Sequence, residues 1–298
     1  MKKLLFIYNA RSGKTEVRKY LADIIDTFIK AGYYVDAYQT QKRADATRQV
    51  VERGGDFDLI VCCGGDGTLN ETITGIMQLE KKVPLGYIPA GSTNDFASTL
   101  KMPKDMLKAA QIAVKGEETA VDIGRFNDKN FVYVCCFGAF ADVSYQTPQE
   151  MKNILGHQAY LLEAMTRILS LQVYNIRCKF DGCEIEGDFL YGMISNSSSV
   201  GGIKGITGRD ISLCDGLFEV TLVKPPKSPI DLQAIAFDLL NGENKSDFVI
   251  RFKTKKLEVE SDKKIEWVLD GECGGKMKHI IAENIESAIT IKAHKKSV

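Results

Sequence analysis

Five short stretches of this chain carry residues that could do chemistry, and each has a glycine within or beside it. The most telling is Gly64-Gly65-Asp66-Gly67-Thr68-Leu69-Asn70-Glu71, which follows an apolar run over residues 59–63. Its closely spaced glycines let the backbone turn sharply, or left-handed, and approach a ligand with no Cβ in the way. Thr68 is placed to cap a helix carrying Leu69, Ile73, Ile76 and Met77, with Glu71 at the capping-box position. A strand, a glycine turn and a helix N-terminus together make an anion site, because free N–H groups and the helix dipole point at a phosphate. On its own such a turn is equally a tight strand-to-helix connection.

Two further loops offer matching chemistry. Asn9-Ala10-Arg11-Ser12-Gly13-Lys14-Thr15 keeps the Gly-Lys-Thr end of a P-loop. Tyr8 stands where the first P-loop glycine belongs, and no later strand offers the metal-holding aspartate. What remains is an Asn, a Ser and a Gly at a helix start, a set suited to phosphate or nucleotide contact. Pro89-Ala90-Gly91-Ser92-Thr93-Asn94-Asp95-Phe96 follows another apolar run. Late in the chain, Asp270-Gly271-Glu272 ends the run 265–269 and sets two carboxylates beside a glycine. Either could accept a proton from a hydroxyl, or the three could be an acidic hairpin turn. Asp215-Gly216 reads as a hairpin turn or a cation ligand.

The elements that must position these residues follow from periodicity. Residues 1 to about 122 alternate short apolar runs with helical patterns such as Val17, Leu21, Ile24, Ile25 and Phe28. That alternation predicts a doubly wound α/β domain with a parallel sheet. Ligands then bind beyond the carboxyl ends of the strands, so the first three loops open on one rim. From 123 to 298, short strands punctuated by Asn127-Asp128, Asp181-Gly182 and Asp215-Gly216 predict an antiparallel β-sandwich domain. Helices are expected over 160–171 and 229–240.

Composition narrows the classes. Among 298 residues, Lys+Arg and Asp+Glu both total 39, so no global basic field argues for nucleic acid. The longest mostly apolar run, 131–141, is far short of the roughly 20 residues that span a bilayer. The first residues have too short an apolar core for a signal peptide, so a soluble, cytoplasmic protein is expected. Eight cysteines occur without a Cys-x-x-Cys pair, and His157, His279 and His294 show no zinc spacing. Buried, reduced thiols are expected, with Cys178 and Cys183 facing each other across the Asp181-Gly182 turn.

The glycine motif with Asn70-Glu71, Gly91-Ser92-Thr93-Asn94-Asp95-Phe96, Val121-Asp122-Ile123-Gly124, Asp215-Gly216 and Asp270-Gly271-Glu272 occur in that order. Together they resemble the soluble bacterial diacylglycerol kinase family, related to the sphingosine kinases, over nearly the whole chain. The glycine motif alone is shared with NAD kinases and phosphofructokinases. The resemblance implies ATP and Mg2+ as cofactors and a cleft where ATP meets a membrane lipid, diacylglycerol. It implies that Asn9, Ala10, Arg11, Ser12, Gly13, Thr40, Gly65, Asp66, Gly67, Thr68, Leu69, Asn70 and Glu71 line the ATP site, with Thr93 on a phosphate. Asn94 and Asp95 then lie near the lipid headgroup. A structural magnesium takes the Asp215 carboxylate and the main-chain carbonyls of Ser212 and Leu217. Glu272, with Asp270 beside it, supplies the base. Many relatives have Asn-Pro where this chain has Asn9-Ala10, which loosens that loop. Contact with the membrane is expected to be peripheral and reversible, through Lys14, Arg18, Lys19 and Arg167, with no nucleic-acid partner and a homodimer left open. The alternatives are a kinase for phosphatidylglycerol, ceramide or a sphingoid base, an NAD kinase, or a nucleotide-binding regulator without catalysis.

Overall fold

Short apolar runs, each followed by a helix with one apolar stripe, build the first part of the chain. In order they are β1 (Lys2–Tyr8), α1 (Val17–Lys30), β2 (Tyr33–Gln39), α2 (Asp45–Arg53), β3 (Leu59–Gly64), α3 (Asp66–Gln78), β4 (Leu85–Pro89), α4 (Asp95–Thr99) and α5 (Met106–Lys115). The structure, a computed structural model, describes residues 1–13, 17–138, 172–204, 206–208 and 211–294. The expected helix over 160–171, Lys14, Thr15, His157 and Arg167 lie outside the described residues.

Every residue of β3 and β4 is buried, as a parallel strand covered on both faces requires. β1 pairs in parallel with both β2 and β3, and β3 with β4, giving the order β2-β1-β3-β4. Ile291, near the end of the last strand, adds a parallel pairing to Leu85 of β4. The chain runs from β1 outward to β2, then crosses back to β3 on the other side. A doubly wound sheet opens its ligand crevice at that reversal, beyond the carboxyl ends of β1 and β3. α1 closes one face by burying Val17, Ile24 and Phe28, with Phe28 edge-on to Phe6 at 5.2 Å between ring centres.

The chain forms two compact units, and they are not contiguous in sequence. One holds Met1–Gly124, Ser212–Gly216 and the chain from Ile285 onward; the other holds Arg125–Ile211 and Leu217–Asn284. The expected boundary at 122 lies beside the first of these breaks, but two later segments return to the first unit.

The remaining strands are β5 (Glu117–Phe126), β6 (Lys129–Phe131), β7 (Val134–Gly138), β8 (Tyr174–Phe180), β9 (Cys183–Phe189), β10 (Tyr191–Ser195), β11 (Ser199–Val200), β12 (Ile203–Lys204), β13 (Phe218–Val223), β14 (Val249–Thr254), β15 (Lys256–Leu269) and β16 (Glu272–Ala293), with α6 (Pro229–Asn241) between β13 and β14. In the second unit β7, β10, β13 and β14 pair antiparallel in that order. The long strand β15 serves two layers: 258–261 pair with β8, and 267–269 pair with β7. Its register against β16 slips between Glu260 and Ile265, where such an irregularity lets a strand bend. Alternate residues of both layers meet in a core of Phe126, Phe131, Phe137, Phe218 and Trp267, with Trp267 and Phe137 at 4.9 Å. This is the expected α/β plus antiparallel β architecture.

Some local expectations change. The short helix α4 has no period long enough to announce it. Cys178 pairs with Ile185 and Cys183 with Phe180, so the two cysteines do not face each other. His279 lies opposite Glu260, and its Nε2 is 2.7 Å from Glu258 Oε1, in keeping with the absence of zinc spacing around it in the sequence. Five cysteines are buried as expected, but Cys183, Cys214 and Cys273 are exposed. Burial raises the Cys62, Cys136 and Cys178 thiols to about 12, which keeps them protonated and inert.

Candidate active site

The loops after β1, β3 and β4 meet at the reversal point of the parallel sheet. Asn9 N donates to Cys63 O at 2.9 Å and Ala90 N donates to Gly64 O at 2.8 Å, tying the outer two loops to the end of β3. Inside the first loop, Asn9 Oδ1 accepts from Arg11 N at 2.9 Å, and Thr40 N donates to Tyr8 O beside it at 3.0 Å. Packing is backbone on backbone. A Cβ on Gly65 would stand 3.2 Å from Gly91 Cα, and one on Gly91 only 2.6 Å from Gly65 Cα. At Gly13, which has φ +53°, a Cβ would stand 2.5 Å from Ala90 O. Glycine is therefore required here for close approach between loops, and at Gly13 also for handedness.

The third loop is closed by its own side chain. Asn94 has φ +55°, its Oδ1 accepts from Gly91 N at 2.8 Å, and its Nδ2 donates to Gly91 O at 2.7 Å. Asp95 is buried in the first turn of α4, and Thr93 is exposed on the loop.

Around the glycine motif the structure corrects the sequence reading. Gly65 has φ −86°, and neither Gly65 nor Gly67 is in the left-handed region, so space is what they supply. α3 begins at Asp66 with Gly65 as its cap residue, and Thr68 lies inside the helix, its hydroxyl accepting from Asn9 Nδ2 at 3.4 Å. Glu71 does not close a capping box. Its carboxylate accepts from Ala44 N at 2.7 Å and Ala46 N at 3.2 Å, serving the N-terminus of α2. Ala44 has no side-chain oxygen to do so, and a distant carboxylate there answers both the orphan amides and the dipole. Gly67 is exposed in the first turn of α3, and a helix N-terminus of this kind, with free N–H groups and the positive end of the dipole, suits an anion.

Asp122 is a structural anchor that the sequence reading carried only as part of a motif. It is wholly buried in β5, and its carboxylate accepts from Gly216 N and Ser287 N, both at 2.7 Å. Asp122 N also donates to Leu213 O at 2.8 Å. These bonds pin loop 212–216 into the first unit and give it a defined shape, so Asp215-Gly216 is not a simple hairpin tip. Asp215 is exposed on this loop, and Gly216 has φ +73° with the Glu286 carboxylate packed over its Cα. Donors here are carboxylate and carbonyl oxygens, the chemistry that suits a hard divalent cation such as magnesium.

In the second unit Asp270 and Gly271, with φ +48° and +83°, form the two-residue turn between β15 and β16, where Leu269 pairs with Glu272. Positive φ at both central positions is the hairpin turn that Asp-Gly favours. The two carboxylates differ sharply. Asp270 is buried and accepts from Val132 N at 2.6 Å and from Tyr133 N and Val134 N, each at 3.0 Å. Glu272 is exposed at the first position of β16.

Three glycine-bearing loops meeting at the reversal of a parallel sheet, beside a helix N-terminus, mark an α/β protein whose arrangement suits a phosphate ligand. The diacylglycerol kinase catalytic domain family matches residues 3–126. Diacylglycerol kinase of Bacillus subtilis (strain 168) is 34% identical over 278 residues, covering 92% of this chain and 91% of that one. Diacylglycerol kinase of Staphylococcus aureus (strain MRSA252) is also 34% identical, over 93% of this chain and 88% of its own. A crystal structure of a diacylglycerol kinase from Bacillus anthracis str. Sterne superposes with a TM-score of 0.81 at 25% identity, covering 100% of this chain and 99% of that one. The chain belongs to the diacylglycerol kinase family.

Proposed function

We propose that this chain is an ATP-dependent lipid kinase that phosphorylates the free hydroxyl of diacylglycerol and releases phosphatidic acid and ADP. The observation that carries the reading is the close meeting of three loops at the sheet reversal, in a family whose relatives are named for this lipid. Those names also favour diacylglycerol over the other lipid hydroxyls and over NAD.

The loop 9–13, whose Asn9, Arg11 and Ser12 amides are spent on shaping the turn, lines the ATP phosphates together with Gly65 and the N-terminus of α3, and Thr93 adds a hydroxyl. Phosphoryl transfer needs positioning and charge stabilisation above all, and rigid amides supply both without reorganising. Magnesium arriving with the nucleotide would supply electrostatic neutralisation at the phosphates; a separate, structural magnesium would be held by Asp215 and the carbonyls of Ser212 and Leu217. The lipid hydroxyl oxygen attacks the γ-phosphorus as the bond to ADP breaks, and its proton passes to a carboxylate. Glu272 is that acceptor. Asp270, with its oxygens already accepting three amides, is a positioning residue that fixes the turn carrying Glu272. Among the described residues no helix is long and apolar enough to cross a membrane, so the reading calls for reversible contact with the bilayer.

A panel of lipid vesicles with labelled ATP tests the proposal. Labelled phosphatidic acid from diacylglycerol vesicles, lost in Glu272→Gln, is expected. Transfer to another lipid but not to diacylglycerol would overturn the substrate assignment.

A further inference from the structure

Helix α6 departs from the ordinary plan of a surface helix, which turns its apolar stripe inward and its charges outward. It buries Ile235, Asp238 and Leu239 against the second unit. At 100° per residue, Ile230, Gln233, Phe237 and Leu240 fall on the opposite side. There Ile230 is 75%, Phe237 51% and Leu240 64% exposed. The outward face is therefore an apolar strip about 15 Å long, on a helix that is apolar nearly all round.

Its charges are arranged to leave that strip clean. Asp231 and Asp238 are the only ionisable residues between Pro229 and Asn241, and both are turned to the protein's own amides. Asp231 accepts from Lys227 N and Ser228 N at 2.8 and 2.9 Å. Asp238 is buried and accepts from Lys245 N, Ser246 N and Ser246 Oγ. Backbone and hydroxyl bonds hold both carboxyls below the usual carboxylate range, chiefly the Lys227 amide for Asp231 and Ser246 for Asp238, whose burial opposes the shift. Lysines bracket the strip instead. Lys227 is exposed just before the helix, and Lys245, also ion-paired to Glu243, sets its ammonium 5.3 Å from the Phe237 ring.

An uncharged apolar strip with a lysine near each end, Lys245 sharing its end with Glu243 and Asp247, suits the boundary layer of an anionic bilayer, where apolar side chains enter the acyl region and lysines meet headgroups. We infer that α6 docks this protein on anionic membranes through Ile230, Phe237 and Leu240, with Lys227 and Lys245 on the headgroups. The inference rests on the lipid-kinase reading for its choice of occupant. It adds a surface in the second unit to the basic residues of α1 named from the sequence.

The test uses the full chain and sedimentation with large vesicles of phosphatidylglycerol and phosphatidylcholine, beside turnover on a short-chain diacylglycerol dissolved as monomer. Phe237→Ser with Leu240→Ser should lower vesicle partitioning at least about tenfold. Lys227→Glu with Lys245→Glu should lower the preference for phosphatidylglycerol severalfold. Both pairs should keep turnover on the monomeric lipid within about twofold, since neither touches the phosphate loops or Glu272. Ile230→Ser, at the most exposed position, replaces the serine pair if that pair melts early. Parent-like vesicle binding in these variants overturns the inference. So does a serine pair that loses only self-association, which would make the face an interface between copies. A parent that binds vesicles through α6 but phosphorylates no diacylglycerol would sink the kinase reading and leave the docking surface standing.

Discussion

Replacing Asp270 by Asn separates the two carboxylates of the turn by their physical roles. Asn suits the positive φ of this position and the Asn-Gly sequence of the same hairpin turn, so no backbone strain is added. What changes is acceptor capacity. The carboxylate takes Val132 N on one oxygen and Tyr133 N and Val134 N on the other. Asn keeps one oxygen, so it retains at best two bonds and turns an NH2 towards the third amide. A hydrogen bond to a charged group contributes about 1.5–3 kcal/mol, and a buried amide left unpaired costs about 1–3 kcal/mol. A loss of about 3 kcal/mol follows, equivalent to roughly 6–12 °C in the melting of a unit of this size. Glu272→Gln, at an exposed site, should change stability by no more than about 0.5 kcal/mol. Its turnover should fall about 10²-fold or more, the usual scale for losing a general base. Calorimetric melting and labelled-ATP turnover, measured well below the transition, read the two effects separately. If Asp270→Asn melts with the parent yet loses turnover, its charge takes part in the chemistry and the bracing role is wrong. If Glu272→Gln keeps turnover, the proton acceptor lies elsewhere.

Gly65→Ala presses a Cβ against Gly91 Cα at 3.2 Å, and should weaken ATP binding at least about tenfold with little change in melting; unchanged affinity by calorimetric titration would remove this contact from the site. Asp215→Asn should abolish the rise in melting temperature on adding magnesium without nucleotide, because an ion that binds only the native state stabilises it. Equal magnesium effects in variant and parent would leave Asp215 as a turn residue. Asp45, hydrogen-bonded first by Arg48 and then by the Gln41 amide, has its pKa held down at about 2. A depressed carboxylate contributes stability that is complete above its unfolded pKa of about 4 and disappears as pH falls through the folded value. Asp45→Asn should therefore lower stability at neutral pH and flatten the acid limb between pH of about 4 and 2; an unchanged limb would mean that other groups set it.

The sequence by itself determined what depends on neighbours in the chain. Continuous apolar runs and helical stripes settled the alternation of β1 to α5, and turn residues such as Asp181-Gly182 and Asp270-Gly271 settled the hairpins. The order of its motifs named the family, and the glycines marked where phosphate chemistry belongs. Tertiary structure decided whatever depends on groups distant in sequence. Glu71 stands where a capping box would need it, yet it is drawn to α2 because Ala44 leaves that helix end without an oxygen. Gly65 looks like a turn glycine until Gly91 packs against it. Asp122 reads as one polar residue in an apolar strand until Gly216 and Ser287 bring their amides to it across gaps of 94 and 165 residues. Asp270 and Glu272 are indistinguishable as neighbours in a string. Only the fold buries one among three amides and leaves the other at the surface, because burial and hydrogen-bond supply are properties of the surroundings and not of the residue.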